Sequence, residues 1–173
     1  LIHRATADQM GMLGTVINGL ALKDVLDDMG QPARCMTAVE IPAVAEPFIR
    51  LRAIRHMEKG RVVILAGGIG SPLFTTDTTA AQRASELECQ AVLKGTKVDG
   101  VYDSDPKTNP GATLFETLTI REALDRRLKV MDLTALSMCE EQKLPVIVFD
   151  FRPPGNIARA VANEPIGTHV HPD

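Results

Sequence analysis

The stretch that decides the fold is RVVILAGGIGSPLFTTDTTA, residues 61–80. An apolar run passes through glycines into threonines and an aspartate, and a segment of helical composition follows. A continuous apolar run that ends in glycine is typical of a strand buried on both faces of a parallel sheet. A strand followed closely by a helix is the repeating unit of such sheets. The stretch therefore predicts the α/β class.

Strands and helices alternate outward from this stretch in both directions. The predicted helices cover residues 8–29, 48–58, 78–88, 119–127 and 133–142 and the segment NIARAVANE near the end. The predicted strands cover residues 33–39, 61–68, 91–93 and 145–151. This order predicts a mainly parallel sheet with helices on both faces, which is a three-layer αβα sandwich. No internal repeat or linker is visible, so residues 1–173 are predicted to form a single domain.

The composition excludes several classes of partner. The 173 residues carry a formal charge of -3 with acidic and basic residues dispersed, so neither nucleic acid nor a membrane surface is predicted to bind. Aromatic residues make up 3% and tryptophan is absent, which argues against a base-stacking platform. The three cysteines are widely spaced, as in a reduced cytoplasmic protein. No apolar run approaches the ~20 residues of a membrane span, so the chain is predicted to be soluble.

The glycine-rich turn at residues 66–80 is the first candidate binding site. Ligands of open parallel sheets bind beyond the carboxyl ends of the strands. Glycines there let backbone N–H groups approach a phosphate, and threonine hydroxyls at a helix start add donors. The turn matches neither the Walker motif nor GxGxxG. A glycine turn with a Thr/Asp helix cap explains the same residues, and the sequence leaves both interpretations open.

The second candidate is KGTKVDGVYDSDPKTNPGA, residues 94–112, which follows another apolar run. A threonine, a tyrosine and carboxylates after a strand suit a nucleotide, because an aromatic ring can stack on a base while carboxylates meet ribose or Mg²⁺. A solvated loop rich in turn residues is the alternative. Asp8 and Asp132 each stand near a predicted helix start, where capping competes with a ligand role. Thr119 is predicted to cap the helix at 119–127, because Glu122 follows it at capping-box spacing. His169 and His171 lie in a polar tail and are predicted to be solvated, and no metal site is predicted.

Four motifs in this order resemble bacterial uridylate kinases (UMP kinases), which belong to the amino-acid kinase superfamily. They are DQMGMLGTVINGLALKD (8–24), RVVILAGGIGSPLFTTDTTAA (61–81), VLKGTKVDGVYDSDP (92–106) and LKVMDLTA (128–135). The resemblance covers essentially the whole chain. It implies the amino-acid kinase fold, transfer of the γ-phosphate of ATP to UMP to give UDP in pyrimidine nucleotide biosynthesis, Mg²⁺ bound with ATP, and a cytoplasmic homohexamer. GTP and UTP are implied as effectors, and Arg34 is a candidate for their phosphates against a solvated strand end.

The resemblance also implies site residues. Asp8 is similar to the residue that holds the sugar or base of UMP. The loop that wraps UMP corresponds to Ile69, Gly70, Ser71, Pro72, Leu73, Phe74, Thr75 and Thr76. The ATP-binding residues correspond to Thr96, Tyr102 and Asp105, with Tyr102 against adenine and Asp105 near the ribose. For catalysis we hypothesise that Asp77 organises Mg²⁺ or a lysine beside the transferring group, although capping of its helix explains its position as well.

Two differences from the family pattern bear on these expectations. Ile69 and Ser71 replace a threonine and an asparagine of the usual UMP loop, so side-chain contacts there are expected to weaken. The family's Lys-Leu-Ser-Gly-Glu-like strand and Gly-Gly-Gly-Asn-like loop do not occur in the 173 residues. We therefore expect the chain to correspond to the C-terminal major part of such a kinase and, in isolation, to fold poorly and transfer little phosphate. The alternatives are another member of the superfamily and a non-catalytic nucleotide-binding fragment.

Overall fold

The computed structural model describes residues 1–173 as two compact units, Leu1–Thr79 and Ala80–Asp173. Each unit carries its own β-sheet. The α/β class predicted from the sequence is confirmed. The single domain predicted over the whole chain stays a prediction.

The first unit is a three-stranded parallel sheet with helices. Its elements are α1 (Arg4–Asp28), β1 (Ala33–Thr37), β2 (Glu46–Pro47), α2 (Arg50–Glu58) and β3 (Val62–Ala66), and α3 (Thr76–Glu86) begins in this unit. The strand order is β2-β1-β3, and both pairings are parallel. Thr37 is opposite Ala66, so β1 and β3 end side by side. The residues after these two strands are consequently brought to one edge of the sheet.

Helix α1 packs closely on this sheet through a glycine. A Cβ atom at Gly19 would lie 3.1 Å from Cys35 Sγ and 3.3 Å from the Cγ2 of Ile64, so no larger side chain fits there without movement. Val16 is buried one turn earlier and belongs to the same core cluster as Cys35. A small residue at the contact lets the helix axis approach the strands, and this approach fixes where the start of α1 lies.

The apolar face predicted for α1 is mostly exposed in the structure. The helix itself is confirmed, although it begins at Arg4 and not near Asp8. Its exposed apolar side chains are Met10, Leu13, Ile17, Leu22 and Val25, with Met29 just beyond its end. Ile17 is 68% exposed, whereas Val16 beside it is 4% exposed. The helical periodicity identified the helix correctly, but it did not identify the face that packs on the sheet.

The second unit is a four-stranded mixed sheet. Its elements are β4 (Val92–Thr96), β5 (Thr117–Thr119), α4 (Ile120–Asp125), α5 (Leu133–Glu141), β6 (Val146–Asp150), α6 (Asn156–Val161) and β7 (Thr168–His171). The strand order is β4-β6-β7-β5. The β4–β6 and β5–β7 pairs are parallel, and β6–β7 is antiparallel. The sheet is thus mainly parallel, as predicted.

Strand β6 explains why this unit has helices on both faces. Val146 and Val148 point into the large core that contains residues of α4 and α5, while Ile147 and Phe149 join a second cluster with Ala160 of α6. Alternate residues of a strand face opposite sides of its sheet, so a strand that is apolar throughout requires cover on both sides. The prediction of a buried central strand at residues 145–151 is confirmed.

Strand β7 corrects the interpretation of the C-terminal histidines. His169 and His171 belong to this strand, which lies between β6 and β5, so the polar tail predicted for them is wrong, whereas the predicted exposure holds for His171. His171 is exposed, but His169 is half-buried and its Nε2 atom is buried without a hydrogen-bond partner. Thr168 and Val170 are buried. The strand is short and mostly polar, so its existence depends on the two neighbouring strands and not on a visible apolar pattern.

Two predicted helix caps are present in the second unit. Thr119 Oγ1 accepts a hydrogen bond from the backbone N–H of Glu122 at 2.9 Å, at the start of α4. Asp132 Oδ1 accepts one from the N–H of Ala135 at 3.0 Å, at the start of α5. Each bond satisfies an N–H that the helix leaves without an internal partner. Capping therefore accounts for the place of Asp132 in the sequence.

Candidate nucleotide-binding sites

The loop after β3 is fastened to the first turns of α1 by Asp8. The Oδ2 atom of Asp8 accepts a hydrogen bond from the backbone N–H of Leu73 at 2.9 Å, across 65 residues of sequence. The helix begins before Asp8 and the N-cap position is His3, so the prediction that Asp8 caps α1 is wrong. The structure thus brings together two segments that the sequence predicted separately as parts of one site.

The glycines of this loop adopt conformations that other residues rarely take. Gly67 has φ of 78° and Gly70 has φ of 83°. A Cβ atom would lie 2.8 Å from Thr37 Oγ1 at Gly67 and 2.9 Å from the carbonyl oxygen of Ala38 at Gly70. Both glycines are therefore required by the close approach of this loop to the end of β1. The N–H of Gly67 is held by Thr15 Oγ1 at 2.9 Å.

Residues of the predicted loop differ in how far they face solvent. Ser71, Leu73, Phe74, Thr75 and Thr76 are exposed, and Leu73 and Phe74 retain 63% and 56% of their accessible surface. Ile69 and Pro72 are half-buried. Leu73 and Phe74 therefore present apolar surface to the solvent beside the glycines of the loop.

The start of α3 is capped by a threonine. Thr75 Oγ1 accepts a hydrogen bond from the N–H of Thr78 at 3.1 Å, and Thr79 Oγ1 donates to the Thr75 carbonyl oxygen at 2.9 Å. Asp77 is half-buried in the first turn of the helix. The helix cap proposed as one interpretation of this segment is therefore present through Thr75. A carboxylate in a first helical turn is also favoured by the helix dipole.

A cavity of about 400 Å³ lies at the loop after β4 in the second unit. It is lined by Val98, Gly100, Val101, Tyr102, Asp103, Ser104, Asp105, Pro106, Lys107, Arg126, Arg127, Leu128 and Lys129. Of the predicted ATP residues, Tyr102 and Asp105 line this cavity. Thr96 ends β4 and is not part of its wall.

The loop that forms this cavity is ordered by its own polar groups. Asp105 Oδ1 accepts a hydrogen bond from the N–H of Lys107 at 2.9 Å, which is the local turn that its Asp-Pro sequence predicts. Asp103 accepts from the N–H of Thr113 at 3.0 Å, and this bond lowers the pKa of its carboxyl group, with help from Ser104. The turn interpretation is confirmed for this stretch, and several of the same residues line the cavity.

This cavity is also lined by basic residues that the sequence pattern did not indicate. Arg126, Arg127 and Lys129 line the cavity together with Lys107. Arg126 pairs with Glu122 at 2.8 Å and its guanidinium lies 4.9 Å from the ring centre of Phe115. Nearby, Lys94 Nζ donates to the carbonyl oxygen of Val130 at 2.9 Å. In the sequence, three of these cations form the run RRLK at residues 126–129, which lies outside both candidate loops. Against the carboxylates of Asp103 and Asp105, these four cations leave the cavity wall with a net positive charge, which favours an anionic ligand.

A second cavity, of about 680 Å³, belongs to the first unit. Its wall includes Lys23 of α1, Arg34 of β1 and Glu46 of β2. The Arg34 Nε atom lies 3.7 Å from Glu46 Oε1. Glu46 Oε2 is also 3.2 Å from the Nε2 atom of His56. Arg34 is thus a cavity residue and not simply a solvated strand end.

The remaining candidates carry little chemistry. The three cysteines are free thiols, and burial raises the pKa of Cys139 to about 11. No group of three or more His, Cys, Asp or Glu side chains is placed to hold a metal ion. None of the helices is both long enough and apolar enough to span a bilayer.

Comparison with known proteins identifies the class to which this fold and these loops belong. Residues 2–150 match the model of the amino acid kinase family. The chain belongs to the amino acid kinase family.

The proteins of known function that this chain resembles include uridylate kinases, also called UMP kinases. The chain is 57% identical over 170 residues to the uridylate kinase of Streptomyces avermitilis, covering 98% of this chain and 68% of that protein. The crystal structure of UMP kinase from Bacillus anthracis superposes with a TM-score of 0.95 at 41% identity, covering 99% of this chain and 71% of that one. UMP kinase from Ureaplasma parvum gives 0.93 at 39% identity, with 98% and 73% covered.

Proposed function

We propose that this protein is a nucleoside monophosphate kinase that transfers the γ-phosphate of ATP to UMP and releases UDP. The observation that carries the proposal is the hydrogen bond from the Leu73 N–H to Asp8, because it joins the two segments implicated in UMP binding. The similarity to uridylate kinases along 98% of the chain supports the choice of substrate. The reaction places the protein in pyrimidine nucleotide synthesis.

UMP is proposed to bind at the loop after β3. Asp8 uses Oδ2 to hold Leu73, and its second oxygen, Oδ1, is proposed to accept from a ribose hydroxyl or the uracil N–H. The backbone of Ile69, Gly70 and Ser71 is proposed to approach the phosphate. Pro72, Leu73 and Phe74 would cover the nucleoside, and Thr75 and Thr76 would add hydroxyl groups near the start of α3. Backbone contacts do not depend on the identity of residues 69 and 71.

Calorimetric titration with UMP, and separately with CMP as the control, tests this assignment. UMP is expected to bind more tightly than CMP. The two nucleotides differ only in the base edge, so a difference in affinity reports recognition of the base. Asp8→Ala removes a charged acceptor and is expected to weaken UMP binding about tenfold or more. Asp28→Ala, at the far end of the same helix, is the matched control and should bind as the parent does. Equal affinity of the parent for UMP and CMP would contradict the proposal.

ATP is proposed to bind at the cavity after β4. Tyr102 would stack on adenine, Asp105 would accept from the ribose hydroxyls, and Thr96 would contact the nucleotide from the end of β4. The basic side chains Lys107, Arg126, Arg127 and Lys129 in the cavity wall suit an anionic ligand. Cation-lined clefts raise the local concentration of anions and strengthen their binding.

Tyr102→Ala tests the ATP assignment. The variant is expected to weaken ATP binding about tenfold, because base–aromatic stacking contributes roughly 1–3 kcal/mol per base. UMP affinity should not change. Titration of each nucleotide separately makes the distinction, with Thr108→Ala in the same loop as the control. Equal losses for UMP and ATP would contradict the assignment of Tyr102 to the ATP site.

The transfer itself requires little covalent participation by the protein. An oxygen of the UMP phosphate attacks the γ-phosphorus of ATP in line with the departing ADP, and no general base is needed because the attacking phosphate is already anionic. Such a reaction depends on positioning and on neutralising charge. We propose that Asp77 organises the charged groups around the transferring phosphoryl.

Mg²⁺ is proposed to enter with ATP. In kinases this ion keeps several waters and is held by one or two carboxylates together with substrate phosphates. The residues present fit that arrangement through a single carboxylate, Asp77 in the first turn of α3, and no group of three or more ligand side chains is placed as a dedicated cage. The bound ion would neutralise charge on the phosphates of ATP.

We further propose a cytoplasmic homohexamer that responds to GTP and UTP. The exposed apolar side chains along α1, including Met10, Leu13 and Ile17, support burial of this helix against other subunits. The cavity that Lys23 and Arg34 line together with Asp24 and Glu46 supports an effector site through its size, which is large enough for a nucleotide. Free thiols are typical of a reducing compartment.

A further inference from the structure

The hydroxyl group of Tyr102 is fully engaged by a neighbouring carboxylate. It donates to Asp99, with its oxygen 2.8 Å from Oδ1 and 2.9 Å from Oδ2. Tyr102 lines the 400 Å³ cavity and Asp99 does not. The carboxylate therefore holds the phenol from outside the space that a ligand would occupy.

The backbone around Tyr102 is fixed on both sides. The N–H of Val101 donates to Thr168 Oγ1 at 2.8 Å, and the carbonyl oxygen of Val101 accepts from the N–H of Phe115 at 2.9 Å. The N–H of Asp103 donates to the Thr113 carbonyl oxygen at 3.1 Å, and Tyr102 itself is bridged to Leu114. With the backbone fixed, the remaining freedom of Tyr102 lies in its side-chain torsions, and Asp99 restricts these.

We propose that Asp99 is a positioning residue for the ATP site, which fixes the ring of Tyr102 so that the ring surface, and not the hydroxyl group, is offered to adenine. The inference rests on the proposed function. A hydrogen bond to a charged acceptor is stronger than one between neutral groups, and ordering a ring before the ligand arrives lowers the entropy cost of binding. Asp99 thereby contributes to nucleotide affinity without touching the nucleotide.

Because Asp99 is proposed to act through the hydroxyl of Tyr102, the effects of replacing the two side chains on ATP affinity should not multiply. Asp99→Ala frees the ring, and Tyr102→Phe removes the hydroxyl through which Asp99 acts. Each change is expected to weaken ATP binding about three- to tenfold, the cost of immobilising one side chain. Asp99→Ala should have no further effect in the Tyr102→Phe background, because the contact is already lost. If the hydroxyl contacted ATP directly, the two losses would instead multiply.

The experiment is a double-mutant cycle measured by ATP titration of the parent, both single variants and the double variant. Asp125→Ala, an exposed carboxylate in α4, is the control and should bind ATP as the parent does. Asp99 is exposed, so its replacement is compatible with folding, and Asp99→Asn supplies a second variant of similar size. UMP affinity should be unchanged throughout. Parental ATP affinity in Asp99→Ala, or a double variant that loses the product of the single losses, would overturn the inference.

A spectroscopic signal separates failure of this inference from failure of the proposed function. Tyr102 is the only tyrosine and the chain has no tryptophan, so the ultraviolet absorbance of phenolate reports this side chain alone. Hydrogen bonding to Asp99 raises the pKa of Tyr102. Asp99→Asn should lower the titration midpoint toward the ordinary value of about 10. If Asp99→Asn lowers the midpoint but the parent does not bind ATP, the ATP site itself is overturned. If the parent binds ATP but Asp99→Asn leaves the midpoint unchanged, only the role of Asp99 is overturned.

Discussion

Asp77→Asn is expected to lower the rate of UDP formation about 100-fold, the scale found when one preorganised electrostatic group is removed from a reacting centre. Asp77 is half-buried in the first turn of α3, and the substitution removes its charge while keeping its shape. UMP affinity should stay within about twofold, because this effect belongs to the transition state and not to ground-state binding. A coupled assay for UDP and calorimetry with UMP measure the two quantities, using the longest form of the protein that the gene encodes.

The helix cap provides a control for this prediction. Thr75 Oγ1 accepts the N–H of Thr78, so α3 keeps its cap when Asp77 becomes asparagine. The loss of stability should therefore remain within about 1 kcal/mol, the usual contribution of a charge at a helix start. Asp28→Asn, on the surface at the end of α1, should leave the rate unchanged. Unchanged turnover in Asp77→Asn would remove Asp77 from the reacting centre, and a large loss of stability would make its role structural.

The largest expected effect on stability is at Gly167. This glycine has φ of 68°, and a Cβ atom there would overlap the carbonyl oxygen of Val148. Gly167 immediately precedes β7, whose Thr168 is paired with Val148 of β6. An alanine would force these two strands apart where Val148 and Val170 enter the core. Gly167→Ala is expected to destabilise the second unit by about 3 kcal/mol or more, as strain and lost packing combine.

Thermal unfolding measures this effect. A loss of this size lowers the midpoint by about 10 °C for a chain of this length. Gly111→Ala is the matched control, because a Cβ atom there would come no closer than 3.4 Å to Asn109 and its φ is not positive. Its effect should stay within about 0.5 kcal/mol. Equal midpoints for the two variants would show that β6 and β7 tolerate a side chain at this position.

Features that depend on neighbours in sequence were predictable. The apolar runs identified β3 and β6, and Thr119 and Asp132 cap the helices that they were predicted to precede. The turn at Asp105 follows from its own sequence. These interactions extend over two to four residues, so the residue types and their spacing nearly specify them.

Features that depend on distant residues were not predictable from the pattern alone. The start of α1 lies before Asp8, and Asp8 reaches Leu73 across 65 positions. The cations at residues 126–129 meet the Tyr102 loop only in the folded second unit. Strand β7 has too little apolar content to be recognised, and it exists because β6 and β5 pair with it on both sides.

The sequence by itself determined the α/β class, the order of most elements, the local caps and turns, and the motifs that the chain shares with its family. The tertiary structure decided which carboxylate serves which purpose: Asp132 caps a helix, Asp8 holds a distant loop, and Asp99 holds Tyr102. The physical reason is one of range. Backbone conformation responds to adjacent side chains, whereas the partner of a side chain is fixed only when packing has brought separate elements together.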